Sequence, residues 1–141
     1  MEKSFAEWVA LYNKKTPEPF VRDERFEMFF DAEHGFSEVG QDGKLMIINQ
    51  LAGDGRFWKA KVSAAARAAG LHVCGTWCIR RNIRAYIRLF GYRIAWEEDL
   101  GGLKRYHCKD ADGRKGLCSP AFRYDDKDKT QAYFITWEVK A

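Results

Sequence analysis

The longest uninterrupted apolar run is Trp8-Val9-Ala10-Leu11-Tyr12, far short of the roughly 18 residues that a bilayer-spanning helix needs. A membrane-spanning function is therefore excluded on helical grounds. No hydrophobic core follows Met1-Glu2-Lys3-Ser4, so the chain shows no export signal and a cytoplasmic location is the expectation. Proline is scarce: there are 3, and the one proline-rich link, Thr16-Pro17-Glu18-Pro19, is too short to separate two domains. The four cysteines, Cys74, Cys78, Cys108 and Cys118, form no Cys-x-x-Cys knuckle, so reduced thiols and no metal are expected. Charge is nearly balanced, with 24 basic against 20 acidic residues for a net +4. That density does not by itself announce a nucleic-acid binder. There is no internal repeat or low-complexity tract.

What is present is a core. Of 141 residues, 46% are hydrophobic and 15% aromatic, against 31% charged, the balance of one globular domain spanning 1–141. Ser4-Phe5-Ala6-Glu7 has the spacing of a capping box, and Phe5, Trp8, Val9 and Tyr12 then recur at helical intervals. Strands are expected from Arg25 to Phe30 and from Gly35 to Val39. Gly40-Gln41-Asp42-Gly43 reads as a hairpin turn into a buried strand, Lys44 to Gln50. The glycine-rich turn Ala52-Gly53-Asp54-Gly55 leads into an alanine-rich helix from Arg56 to Ala69, closed by Gly70. Leu71 to Trp77 alternates as a strand, and Ile79, Ile83, Tyr86, Ile87 and Phe90 share one face of a following helix. Strand, helix and strand in that order make a crossover unit, so the Lys44 and Leu71 strands should pair in parallel. A hairpin runs from Tyr92 to Cys108 about Gly101-Gly102. Asp110 to Lys129 reads as loop, and Ala132 to Val139 as a last strand.

Gln50-Leu51-Ala52-Gly53-Asp54-Gly55 leaves a buried strand and enters a helix. That order gathers backbone N–H groups and the positive end of a helix dipole around one concavity, an anion cradle. Glycine suits it by allowing close approach of a phosphate and positive φ. A tight strand-to-helix turn with no ligand has the same signature.

The Gln-x-x-Gly-x-Gly pattern, its alanine-rich helix, the next strand and then Asn82-Ile83-Arg84-Ala85-Tyr86, followed by Gly91-Tyr92, resemble the GNAT family of N-acetyltransferases. The resemblance covers roughly Phe26 to Cys108. The chain is also similar to the short GNAT-like proteins of bacteriophages and prophages, which often read Arg-Asn-x-x-Ala-Tyr here. The resemblance implies an α/β (α+β) fold with a mixed, largely antiparallel twisted sheet flanked by helices, acyl-CoA N-acyltransferase-like. It implies acetyl-CoA as cosubstrate and transfer of its acetyl group to a small-molecule or protein amine by direct attack in a ternary complex. Gln50, Gly53 and Gly55, with the backbone of Leu51, Ala52, Asp54 and Arg56, would bind the coenzyme A pyrophosphate. Asn82 would contact the pantetheine arm or the adenine end. Tyr86 would protonate the leaving thiolate, a phenol of pKa near 10 being matched to a thiol near 8.5; the same side chain on the apolar face with Ile83 and Phe90 also fits pure packing. A backbone N–H of the Lys44 to Gln50 strand would polarise the thioester carbonyl, where this strand splays from its parallel neighbour.

Glu38, His34 and Glu33 are the candidates for a general base, with Asn49 to orient a water, though each carboxylate or imidazole also fits an ordinary surface role. The chain departs from the family pattern in three places. One helix precedes the Arg25 strand instead of a strand and two helices, Asp54 puts a carboxylate inside the cradle, and residues 109–141 exceed the family core, forming a C-terminal extension with room for a replacement strand or a partner contact. Two rival functions stay open: a catalytically inactive GNAT-fold binding or phage assembly module, with a second copy of the chain or a phage protein as partner, and a nucleic-acid-binding domain. The latter would use the stripe Arg80, Arg84 and Arg88 with Arg81, which equally reads as a solvated helix face or as an attractor for anionic coenzyme.

Overall fold

A computed structural model describes residues 2–16, 18–79, 82–125 and 130–139. Ser4 builds the expected capping box: its hydroxyl accepts from the Glu7 amide at 3.2 Å and the Glu7 carboxylate accepts from the Ser4 amide at 3.0 Å. Helix α1 (Phe5–Lys15) follows and closes at Thr16. β1 (Glu27–Asp31) and β2 (Gly35–Asp42) pair antiparallel, and β2 turns through Gly43, at φ +59°, into β3 (Leu45–Gly53). The turn falls later than the sequence suggests, because Gly40 to Asp42 extend the ladder. β3 likewise continues through Gly53, beyond the expected end at Gln50.

Helix α2 (Gly55–Ala68) is capped by the Asp54 carboxylate, which accepts from the Phe57 amide at 3.1 Å. Trp58, Val62 and Ala66, four residues apart, form its buried face. Gly70, at φ +75°, ends it. β4 (Val73–Cys78) then pairs in parallel with β3, as the crossover requires. Helix α3 (Ile83–Leu89) starts later than expected: Asn82 caps it, and Ile79 lies outside the helix. β5 (Tyr92–Asp99) and β6 (Lys104–Asp110) form the expected hairpin.

The expectation of a loop from Asp110 to Lys129 is overturned. Lys115–Asp125 forms β7, and Thr130–Glu138 forms β8. The sheet has 8 strands in the order β1-β2-β3-β4-β8-β7-β6-β5. Every neighbouring pair is antiparallel except β3 and β4. This is the mixed, largely antiparallel α+β fold expected.

Alternation along the strands separates two layers. On one face Cys74 and Trp137, paired in register, meet α2, with the Trp137 indole N–H donating to Ser63 Oγ at 2.9 Å and its ring 5.1 Å from that of Phe90. On the other face Phe36, with no exposed surface, sits within an aromatic cluster of Phe5, Tyr12 and Phe20, at centroid distances of 5.2, 5.8 and 4.8 Å. α1 is thus fastened to the β1–β3 half of the sheet.

Trp137→Ala removes a ring buried between two helices and strands a hydroxyl, so a loss of about 3–5 kcal/mol is expected. Trp96→Ala, at 55% exposure, should cost less than about 1 kcal/mol. Urea unfolding of the two variants measures the contrast, and equal midpoints would contradict a core position for β8.

Candidate active site

The parallel ladder between β3 and β4 runs from Leu45↔Val73 to Ile48↔Thr76 and stops, although both strands continue. A bulge marks the place. β2 pairs Glu38 with Gln50 but Val39 with Ile48, leaving Asn49 as the extra residue of β3. β4 keeps its other partner as far as Cys78↔Tyr133, so the two central strands part over residues 49–53 and 77–78. A cavity of about 80 Å³ opens in the gap, and Asn49, Gln50, Leu51, Cys78 and Tyr86 are among its walls.

Tyr86 reaches the gap because α3 packs its Ile83, Tyr86 and Ile87 face onto the core; the Tyr86 ring lies 5.9 Å from Phe90, nearly parallel. Asn82 does not join it through its side-chain oxygen, which accepts from the Ala85 amide at 3.1 Å as the helix cap.

The glycine loop lies at the far end of the gap. Gly53 takes φ +100°, as a cradle loop should. The steric reason, however, differs from the expected approach of a phosphate: a Cβ there would stand 2.1 Å from the His34 carbonyl oxygen, and one on Gly55 would meet Phe90 at 2.9 Å. Both glycines are required by the protein's own packing, and the Asp54 amide is spent on the His34 carbonyl at 2.9 Å. Asp54 itself occupies the cap position and takes the Phe57 amide, which leaves Gly55 and Arg56 as first-turn amides without an intrahelical acceptor. A cavity of about 200 Å³ lies against this turn, with Lys15, Gly53, Gly55 and Leu89 in its wall. Ala52 is buried at its edge. The Arg56 side chain lies over Gly91 and reaches the Arg88 carbonyl at 3.4 Å.

Gln50, expected at the pyrophosphate, faces the other way. Its Nε2 donates to the Val21 carbonyl at 2.7 Å and to Glu38 Oε1 at 2.5 Å, and its Oε1 accepts from the Tyr12 hydroxyl at 3.3 Å. Glu38 has no exposed surface. Besides Gln50 it accepts from Asn49 Nδ2 at 3.1 Å, the Asp23 amide at 2.7 Å and Arg22 Nη1 at 2.6 Å. With its oxygens engaged and shielded, this carboxylate presents no open face to an incoming amine. Its geometry is that of a clamp fixing residues 21–23 to β3.

The other base candidates lie at the glycine-loop end of the gap, not at the Asn49 bulge. His34 sits in the β1–β2 turn beside Gly53, its ring stacked on Phe57 at 3.8 Å. Its Nδ1 is 2.9 Å from Asp31 Oδ1, a contact that holds the Asp31 carboxyl below its ordinary pKa. Glu33 is exposed in the same turn. Of the arginine stripe, Arg80 and Arg81 lie outside the described residues. Arg84 is ion-paired with Glu97, its guanidinium 5.3 Å from the Tyr106 ring, and Arg88 is exposed. All four cysteines are buried, and burial pushes Cys74 up to about 12 and Cys108 up to about 11.

Sequence reasoning missed the segment 18–24, which walls a wider cavity of about 620 Å³ outside the gap together with Tyr12 and Trp77. The signal was indirect: a glutamate in a strand buried on both faces needs cations and amides, and Arg22 and Arg25 are the two cations that shortly precede β1.

Among solved structures, the ribosomal-protein-S18-alanine N-acetyltransferase of Escherichia coli superposes with a TM-score of 0.57 over 100% of this chain and 93% of that one, at 10% identity. The chain has the GNAT fold. Ard1 from Thermoplasma volcanium gives 0.49 at 15% identity over 100% of this chain and 97% of that one. Nourseothricin acetyltransferase gives 0.46 at 12% identity over 74% of this chain, which spans 57% of that protein's length. No protein-family model and no curated protein sequence matches. Among the described residues of this GNAT-fold chain, no helix is long and apolar enough to cross a membrane.

Three substitutions test the geometry. Gly53→Ala combines an unfavourable φ with a backbone clash and should cost more than about 2 kcal/mol, whereas Gly43→Ala, with nothing within 4 Å, should cost about 1 kcal/mol. Chemical denaturation that ranks them the other way would contradict the packing described. Glu38→Ala leaves Arg22 and three other donors without their acceptor, and a loss of about 2–4 kcal/mol is expected, read as a lowered urea midpoint.

Proposed function

We propose that the chain is an acetyl-CoA-dependent N-acetyltransferase that transfers the acetyl group to an amine by direct attack in a ternary complex. The observation that carries this reading is the parting of β3 from β4 after Ile48 and Thr76, with Tyr86 and the bulged Asn49 in the gap.

The residues fit the cosubstrate in the following roles. The amides of Gly55 and Arg56 at the positive end of α2, with Lys15 in the wall of the adjoining cavity, hold the pyrophosphate. The Asp54 carboxylate opposes that charge, and its engagement with the Phe57 amide limits the opposition. The edge of β3 at residues 49–53, without a β4 partner, accepts the pantetheine arm. The main-chain amide at the Asn49 bulge donates to the carbonyl oxygen as it becomes an oxyanion. The amine nitrogen attacks the carbonyl carbon and the carbon–sulfur bond breaks. Tyr86 gives its proton to the departing thiolate, and the proton lost by the amine leaves to water in the 620 Å³ cavity.

The alternative of a GNAT-fold module without catalysis is favoured by one specific observation: Gln50 and the Asn82 carboxamide oxygen, both expected on the coenzyme, are engaged within the protein. Binding separates the readings. Thermal unfolding with millimolar acetyl-CoA should rise by several degrees, following the mass-action stabilisation of a ligand present far above its Kd. No shift would favour the module. Tyr86→Phe should lower kcat by about 100-fold while the acetyl-CoA shift persists; full turnover in that variant would remove Tyr86 from the chemistry.

A further inference from the structure

Helices α2 and α3 lie on one face of the sheet, and α1 packs on β2 and β3 of the other. The rest of that second face, across β8, β7, β6 and β5, carries no helix among the described residues. Its register sets two rows of side chains next to each other. In the first, Arg93 of β5 lies opposite Lys109 of β6, which lies opposite Lys115 of β7. All three are exposed, and no side-chain hydrogen bond or ion pair engages them among the described residues. Like charges facing one another across adjacent strands destabilise a sheet, so folding alone does not account for this row. Glu138, exposed on the same face of β8, forms no ion pair with it.

The second row is Trp96, His107, Leu117 and Thr136. Arg93 and Trp96 are three positions apart, which in a regular strand would send them to opposite faces. The bulge between Ile94 and Trp96 inserts Ala95 and brings both to the open face. The Trp96 ring stacks on His107 at 3.9 Å and 5°, and Glu98 Oε1 fixes that imidazole, 3.0 Å from its Nε2. One side of the indole is thus seated on a neighbour, while Trp96 as a whole stays 55% exposed. Beyond it, Glu98 also balances Arg105 at 3.3 Å.

We infer that this open face binds single-stranded nucleic acid, with a base stacked on Trp96 and the neighbouring phosphates on Arg93, Lys109 and Lys115. A flat, pre-oriented aromatic ring bordered by unpaired cations offers what a single strand presents, a base face and a charged backbone. A duplex keeps its base faces within its own stack, and an acidic peptide would engage the cations and leave the indole unused. The surface lies on the opposite side of the sheet from α3, apart from the Arg84 and Arg88 stripe. None of its residues lines the gap or the cavities beside it, so the inference stands without the acetyltransferase reading.

Fluorescence anisotropy of a labelled oligothymidylate of about 12 nucleotides tests the surface. The affinity should fall with salt at a log–log slope of about −2, each of the three cations contributing about −0.7. Trp96→Ala, at an exposed position, should leave the fold intact and weaken binding about tenfold or more, with Trp96→Phe restoring most of the loss. Lys109→Gln together with Lys115→Gln should bring the slope to about −0.7. Arg88→Gln on α3 should change neither affinity nor slope, and saturating coenzyme A should leave the complex in place. The inference is overturned by absence of binding at low salt, by full affinity in Trp96→Ala, by a slope that follows Arg88 instead of the two lysines, or by displacement with coenzyme A. Competition by polyglutamate as strong as that by unlabelled oligonucleotide would also overturn it, and would assign the cationic row to an acidic protein partner.

Discussion

The carboxylate of Glu38 lies in a strand covered on both faces, and an ion in that position is tolerable only when nearly every lone pair is matched. The match comes from two segments at once: Arg22 and the Asp23 amide from the stretch before β1, Asn49 and Gln50 from β3. Each donor is a constraint on where its own segment lies. Residues 21–23 are drawn over the end of the gap, the bulge at Asn49 is held by its own side chain, and Gln50 passes the constraint on to Tyr12 and therefore to α1. The wall of the wide cavity, the parting of the central strands and the seat of the first helix thus share one electrostatic origin.

The glycine loop owes its two glycines to the protein's own packing. A loop that must cross the β1–β2 turn within contact distance of the His34 carbonyl can carry no side chain at Gly53, and α2 can approach Phe90 only with a bare Gly55. The same closeness brings the helix N-terminus to the end of the gap. The tight turn is thus the means by which the first turn of α2 comes to lie against the cavity near Lys15.

What was legible in the sequence was local. The Ser4 capping box, the α2 repeat of Trp58, Val62 and Ala66, the terminating Gly70 and the parallel crossover all depend on residues a few positions apart or on a handedness rule. The strand Lys115–Asp125 was not legible, because its neighbours supply what its own composition does not: β6 and β8 pair with it on either side. The positions of Tyr86 and the glycine loop followed from element order. The roles of Glu38, Gln50 and Asn82 did not, since each depends on partners whose side chains the periodicity of a single strand or helix cannot orient. The caps at Asp54 and Asn82 were readable in principle from their places before helices, and they explain why those two side chains face backbone amides.

The position of β8 between β4 and β7 bears on how the chain is made. During synthesis β4 emerges with β3 as its sole neighbour, and the hairpin of β5 and β6 joins β7 without any link to the rest of the sheet. Only when residues up to Glu138 leave the ribosome can the two halves be bridged, by contacts such as Cys74↔Trp137 that span much of the sequence. Until then both β4 and β7 present open edges, the kind of surface that pairs with other chains. The window is short at about 5–20 residues per second, but it makes the final strand the step on which soluble yield depends, and nascent-chain crowding or a slow stretch of codons before it would be felt as aggregation, with the finished fold itself unaltered.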